Sequence, residues 1–195
     1  MKYIAIEGII GAGKSTFAKA LSKKLGGRLV LEDFEANSLL ADFYRDPKRY
    51  ARQLELTLLQ QRVKQLKSSH SNDSGILIAD FHLHKSLLFA AITLNPQDYV
   101  EFEKIYLSVI AGLPEPDLLI HISTPPKQAK QNIINRGRPY ETAISEVYLD
   151  LLFKGYSGFI RNYCITKSVL TIRWDELQSK SDTKIAEIMQ LLSAQ

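Results

Sequence analysis

Apolar positions along the chain fall into two kinds of pattern. Short, nearly continuous runs occur at Tyr3–Ile6, Arg28–Leu31, Ile76–Ala79, Asp117–Ile122 and Val169–Ile172, as in strands covered on both faces. Between them the apolar positions recur at helical spacing. Phe17–Leu25 follows the first run, and Asn37–Tyr44 predicts a short helix after the second. A long helix runs from Pro47 to Lys67, with Tyr50, Leu54, Leu58, Val63 and Leu66 as its apolar stripe. Ser68–Gly75 reads as a polar loop. Further helices are predicted at His82–Leu94, at Asp98–Ala111 with Asp98 as its cap, and at Pro125–Asn135. Glu141–Asn162 is largely helical, with Gly155 and Gly158 as weak points, and Thr183–Ala194 closes the chain.

Strands alternating with helices predict an α/β fold of three layers with a five-stranded parallel sheet. Ligands of such sheets bind outside the carboxyl ends of the strands. That rule selects Gly8 onward, Glu32-Asp33, Asp80, Ser123-Thr124 and Arg173-Trp174-Asp175.

The first of these ends carries the clearest chemistry. Gly8-Ile9-Ile10-Gly11-Ala12-Gly13-Lys14-Ser15 fits G-x-x-x-x-G-K-[ST] and is followed by Thr16 and a helix. Strand, glycine-rich loop and helix form a phosphate-binding P-loop, in which backbone N–H groups and the helix N-terminus face phosphate. Lys14 would reach the β- and γ-phosphates, and the Ser15 hydroxyl would ligate Mg²⁺.

The other strand ends bear on the acceptor. Glu32, Asp33 and Glu35 form an acidic cluster, which repels a phosphorylated acceptor and suits deprotonation of a neutral hydroxyl. Such acids also favour helix N-termini or face solvent. Asp80 is placed to hold Mg²⁺ directly or through water, or to cap the helix starting at His82. Arg136-Gly137-Arg138 after a helix can close over transferring phosphate oxygens. It can equally be a basic helix end.

Composition narrows the classes without changing this picture. The 195 residues, 45% hydrophobic and 24% charged, suit one globular domain, 1–195, with a small lid near 136–145. No apolar stretch approaches the roughly 20 residues that span a bilayer, so no membrane partner is expected. A net charge of +4 is too small, and its cations too scattered, to point to nucleic acid. Cys164 is the only cysteine, which rules out an intramolecular disulfide and fits a cytoplasmic location.

Ile4-Ala5-Ile6-Glu7-Gly8, the P-loop, Glu32, Tyr44 before Asp46-Pro47, Asp80, and Arg136-Gly137-Arg138 with Glu141 together resemble the deoxynucleoside kinases. The resemblance covers most of the chain, from Lys2 to the fifth strand. It implies that Glu32 is the general base for the sugar 5′-OH and that Tyr44 and Glu141 hold the 3′-OH. Asp80 matches the acid of an Asp/Glu-Arg-Ser motif, and Arg136 and Arg138 match lid arginines. Arg62 matches a base-pocket arginine, and Glu55 stands where many relatives carry a base-reading Gln. A homodimer through long helices is implied as well. Seven residues apart, Glu55 and Arg62 share a helix face. Glu55 could accept from guanine N1–H and its 2-amino group, or from an exocyclic amine of adenine or cytosine. This gives a lean to purines.

Three positions depart from the family pattern. Asp33-Phe34 follows Glu32 in place of Pro-Val. Phe81-His82 follows Asp80, so the motif arginine is absent, with His82, His84 and Lys85 as candidates to supply its charge. Asn132 stands where many relatives have a further arginine. Trp174 lies where the family's adenine-side loop would be, to cover the ATP base or to pack. The expected activity is transfer of the γ-phosphoryl group of ATP–Mg²⁺ to a deoxynucleoside. The alternatives are a nucleoside monophosphate kinase of thymidylate kinase type, or a P-loop nucleotide switch.

Overall fold

The computed structural model describes residues 1–33, 37–69, 75–165 and 167–193. The elements run β1 (Lys2–Glu7), α1 (Lys14–Leu25), β2 (Arg28–Val30), α2 (Leu39–Arg45), α3 (Pro47–Ser69), β3 (Ile76–Ala79), α4 (Lys85–Thr93) and α5 (Pro96–Ile110). They continue with β4 (Leu118–Ser123), α6 (Pro126–Arg136), a 3₁₀ turn (Pro139–Glu141), α7 (Glu146–Tyr163), β5 (Val169–Arg173), α8 (Trp174–Ser179) and α9 (Ser181–Ser193). The strands form one parallel sheet in the order β2-β3-β1-β4-β5.

Alternation along β1 explains why the strand runs are apolar at every position. Ile4 and Ile6 pack with Ile120, Phe17, Leu21, Leu149 and Leu152 on one face of the sheet. Tyr3 and Ala5 pack with Leu119, Leu59, Leu66, Phe102 and Tyr106 on the other. Helices cover both faces of the sheet's centre, so β1, β3 and β4 are buried along nearly their whole length. At the edge, β5 leaves Thr171 and Arg173 exposed.

The five strands lie where periodicity predicts them. Several helix ends differ, each for a local reason. Asn95, not Asp98, caps α5: its side chain accepts from the Asp98 N–H at 2.9 Å, and Pro96 occupies the first turn. Helix α4 starts at Lys85, not at His82, because residues 81–84 form a turn closed by the Lys85 N–H on the His82 carbonyl, 3.2 Å. Asp80 therefore caps no helix. The predicted helix from Glu141 begins at Glu146 under a Ser145 cap. Gly155 and Gly158 do not interrupt it, and a Cβ at Gly155 would stand 3.4 Å from the Leu88 side chain. Of the predicted polar loop, Ser68 and Ser69 extend α3, and 70–74 lie outside the described residues.

Strand register sets the site. Ala5 of β1 is level with Ala79 of β3, and Val30 of β2 is level with the same residue. The residues just past these ends, Gly8 onward, Asp80 and Glu32, therefore emerge side by side at the crevice over the sheet.

Candidate active site

The P-loop wraps from Gly8 to Thr16. Gly11 sits at φ +81°, and an added Cβ would come 2.5 Å from the Ala129 carbonyl oxygen. Only glycine fits there without strain. Gly11→Ala is expected to destabilise the fold by about 2–3 kcal/mol, read by urea unfolding. Lys14 Nζ donates to the carbonyls of Gly8 (2.8 Å) and Ile9 (3.1 Å). Burial, then the Lys85 charge, push its ammonium down to about 8. Ser15 Oγ donates to Asp80 Oδ2, and Asp80 Oδ1 accepts from the Glu32 N–H at 2.6 Å. The hydroxyl and carboxylate expected to hold Mg²⁺ thus meet across the β1–β3 boundary. Hydroxyl and carboxylate oxygens are donors that suit this hard cation.

Glu32 is the electrostatic centre of the cleft. Arg62 Nε donates to its Oε1 at 2.6 Å and Lys85 Nζ to its Oε2 at 2.7 Å, all three side chains being at most 9% exposed. Burial alone would raise the carboxyl, but the Arg62 and Lys85 charges win and hold it far below the carboxylate range. Ser86 Oγ accepts from Arg62 Nη1 at 2.8 Å and fixes the guanidinium from the far side. Arg62 therefore binds Glu32, not Glu55, with which it shares a face of α3. Glu55 is buried beside α4, where Thr93 Oγ1 lies 3.1 Å from its Oε1. Asp33 is exposed, and Glu35 lies outside the described residues.

The lid side brings together the expected sugar-binding pair and the arginines. Tyr44 and Glu141 line one cleft with Glu32, Arg62 and the P-loop. Burial and the Glu141 charge push the Tyr44 phenol up, so it is a neutral donor. Arg136 forks onto buried Glu141, at 3.0 Å from Nε and 2.6 Å from Nη2 to Oε2, and Arg138 Nη1 reaches Oε1 at 3.4 Å. Both arginines of 136–138 thus rest on one carboxylate. A second cleft opens on the other side of the loop, between Gly11, Gly13, Thr16, Trp174 and Gln178. Arg136 lines both clefts.

The geometry is matched by sequence. The family model for "Deoxynucleoside kinase" matches residues 4–194. The chain belongs to the deoxynucleoside kinase family. It is 38% identical to a deoxyguanosine kinase of Bacillus subtilis over 87% of this chain and 84% of that one. It is 33% identical to a deoxyadenosine kinase of Dictyostelium discoideum, over 89% and 73% of the two chains. The solved structure of deoxyadenosine kinase from M. mycoides with bound dATP superposes with a TM-score of 0.85 at 28% identity, covering 98% of this chain and 99% of that one. The same enzyme with dCMP and a flexible dCDP gives 0.85 at 29% identity, covering 98% of each chain.

Within this kinase family the chain's departures have structural counterparts. Of the three candidates for the absent arginine's charge, Lys85 meets Glu32. As the first residue of α4, its side chain reaches back toward the strand end. His82 and His84 turn away from Asp80. Their rings stack at 4.8 Å and 6°, and His82 Nε2 faces Glu115 at 3.5 Å. Asn132 donates to the Gly11 carbonyl at 2.8 Å and pins the P-loop to α6. Two positioning residues escaped the sequence reading. Ser86 looks like any polar helix residue. Glu7 accepts from the N–H groups of Gly8 (3.2 Å) and His82 (2.6 Å) and from the Tyr156 hydroxyl (2.6 Å). A charge ending an otherwise apolar strand was the available signal for Glu7.

Proposed function

We propose that this kinase transfers the γ-phosphoryl group of ATP to the 5′-OH of a deoxynucleoside, with purines preferred. The observation that carries the reading is Glu32, an ionised carboxylate between two buried cations that shares one cleft with the P-loop. Held ionised by these cations, such a group can accept a hydrogen bond from a neutral hydroxyl. The purine preference is supported by the deoxyguanosine and deoxyadenosine kinases among its relatives.

In this reading the N–H groups from Gly8 to Thr16, Ile9, Ile10 and Ala12 included, cradle the donor phosphates, and Lys14 leaves the loop carbonyls for the β- and γ-oxygens. Trp174 borders the donor cleft and offers its ring to the base. Ser15 and Asp80 would hold Mg²⁺, which offsets charge on the β- and γ-phosphate oxygens. Tyr44 and Glu141 take the 3′-OH. Glu32 accepts a hydrogen bond from the 5′-OH and receives its proton as the new O–P bond forms and the bond to ADP breaks. So acidic a carboxyl is a weak base, which suits a loose transition state in which positioning and charge stabilisation dominate. When Glu141 binds sugar, Arg136 and Arg138 can turn to the transferring oxygens.

Residues 1–195 act here as one kinase domain with 136–145 as its lid. A cytoplasmic setting agrees with the exposed free thiol of Cys164, and among the described residues no helix is long and apolar enough to cross a membrane. A homodimer agrees with Val100, Ile105 and Leu107 left exposed on α5. ADP release should be measured with ATP–Mg²⁺ and each of the four deoxynucleosides and their monophosphates. Turnover with a deoxynucleoside supports the reading, and turnover with monophosphates alone overturns it. Chelation by EDTA is expected to bring turnover to background, and added Mg²⁺ to restore it.

A further inference from the structure

Glu7, the last residue of β1, takes no part in the mechanism above, yet it is sealed from water at 0% exposure. A buried carboxylate must find its donors within the protein. Oε1 accepts from the His82 N–H at 2.6 Å. Oε2 accepts from the Gly8 N–H at 3.2 Å and the Tyr156 hydroxyl at 2.6 Å. These donors come from the start of the P-loop, from the 81–84 turn and from α7.

The bond to His82 has the most consequence for the chemistry. The register of β1 on β3 runs as far as Ala5 and Ala79. Beyond it, the Glu7 side chain carries the connection from β1 to the chain leaving β3. His82 in turn accepts the Lys85 N–H on its own carbonyl at 3.2 Å, and Lys85 Nζ donates to Glu32 Oε2 at 2.7 Å. Three hydrogen bonds therefore lead from the strand that feeds the P-loop to the carboxylate of the acceptor side. The P-loop has further anchors of its own, the Ala12 N–H on the Ile9 carbonyl (3.1 Å) and Asn132 on the Gly11 carbonyl (2.8 Å). Loss of the Glu7 carboxylate would fall mainly on the turn.

We propose that Glu7 is a positioning residue for phosphoryl transfer, holding the 81–84 turn so that Lys85 meets Glu32 at a fixed place relative to the P-loop. The proposal rests on the deoxynucleoside kinase reading and adds a residue that lines neither cleft beside the loop. All three donors are neutral, so what Glu7 supplies is two acceptor oxygens at a set distance from the strand. Misplacing a reacting group by about 1 Å can cost about 100-fold in rate.

The experiment measures kcat and both KM values with the best deoxynucleoside in Glu7→Met, Lys85→Met and the double variant, with thermal unfolding of each recorded. Glu7→Met keeps the length of the side chain and removes both acceptors. It is expected to lower kcat about 10- to 100-fold and to change either KM less than about threefold. In the Lys85→Met background the same substitution should cost less than about threefold, because its route to Glu32 is already cut. A fall in the folded fraction would instead multiply with the Lys85→Met loss, as would an effect through the P-loop. Should Glu7→Met fail to fold, Glu7→Asp, which keeps both acceptors but withdraws them toward β1, must show a smaller loss with the same dependence on Lys85. Losses that multiply overturn the proposal, as does an unchanged kcat in Glu7→Met, and both leave the kinase reading intact. A rise confined to KM for ATP overturns it too. Turnover of no deoxynucleoside by the unaltered protein refutes the kinase reading itself.

Discussion

Glu32→Gln is expected to lower kcat with the best deoxynucleoside by about 10²–10⁴-fold, the usual range for loss of a general base. Nucleotide binding, measured with a fluorescent ATP analogue, should stay nearly intact, because Lys14 and the loop N–H groups do not touch the Glu32 side chain. The amide retains an acceptor for one cation, but its NH₂ must face the other. Since Arg62 and Lys85 are 3% and 5% exposed, the variant leaves positive charge uncompensated in the interior. Breaking a buried pair costs about 3–5 kcal/mol in general, and the retained acceptor should keep the loss toward the lower end. The pH dependence has a defined sign. The Glu32 carboxyl is depressed in the folded state, so its contribution is complete above the unfolded value near 4.5 and declines as pH falls through the folded value. The stability gap between the protein and this variant should therefore be constant from pH 8 to about pH 5 and narrow in acid. Near-normal turnover would end the assignment of Glu32, whatever the stability.

Arg136→Ala is expected to lower kcat by about 10³-fold or more, the scale on which a transition-state arginine acts. The guanidinium borders both clefts beside the P-loop, which the proposed transfer would join. Arg136→Lys keeps the charge but not the planar fork and should recover only part of the loss. Removing Arg136 also leaves Glu141, 3% exposed, with Arg138 at 3.4 Å. KM for the deoxynucleoside should accordingly shift as well, and by less than kcat. A variant with unchanged kcat and a raised KM would make Arg136 a partner of Glu141 alone. Pre-steady-state measurement of the chemical step decides between these outcomes.

The two variants probe features that differ in how visible they are along the chain. The P-loop is a contiguous string, because backbone N–H groups converge on phosphate only where glycines follow one another closely. It could be read directly, as could the five strands, whose apolar positions are covered by helices on one face or the other. The ends of three strands were visible because an apolar run stops at a charge, at Glu7, Glu32 and Asp80. Glu32 and the arginines of 136–138 stood out by their places after a strand and a helix, whereas Tyr44 and Glu141 could be named only through their resemblance to a family, since nothing local marks them.

What the chain alone determined is the fold class, the phosphate loop and the acidic acceptor side. These depend on periodicity and on neighbours a few residues apart. Only the tertiary structure decided which charges meet. Glu55 and Arg62 share a helix face, yet Arg62 bonds to Glu32, thirty residues away, because β2 ends opposite the middle of α3. Lys85, and neither histidine, meets Glu32, because the turn at 81–84 delays α4 until Lys85 begins it. Glu55 is left beside Thr93 with an unpaired oxygen. Ion-pair energies in a buried cleft depend on separations of a few ångströms between residues far apart in sequence. Those separations are set by the packing of helices on the sheet, which no local pattern records.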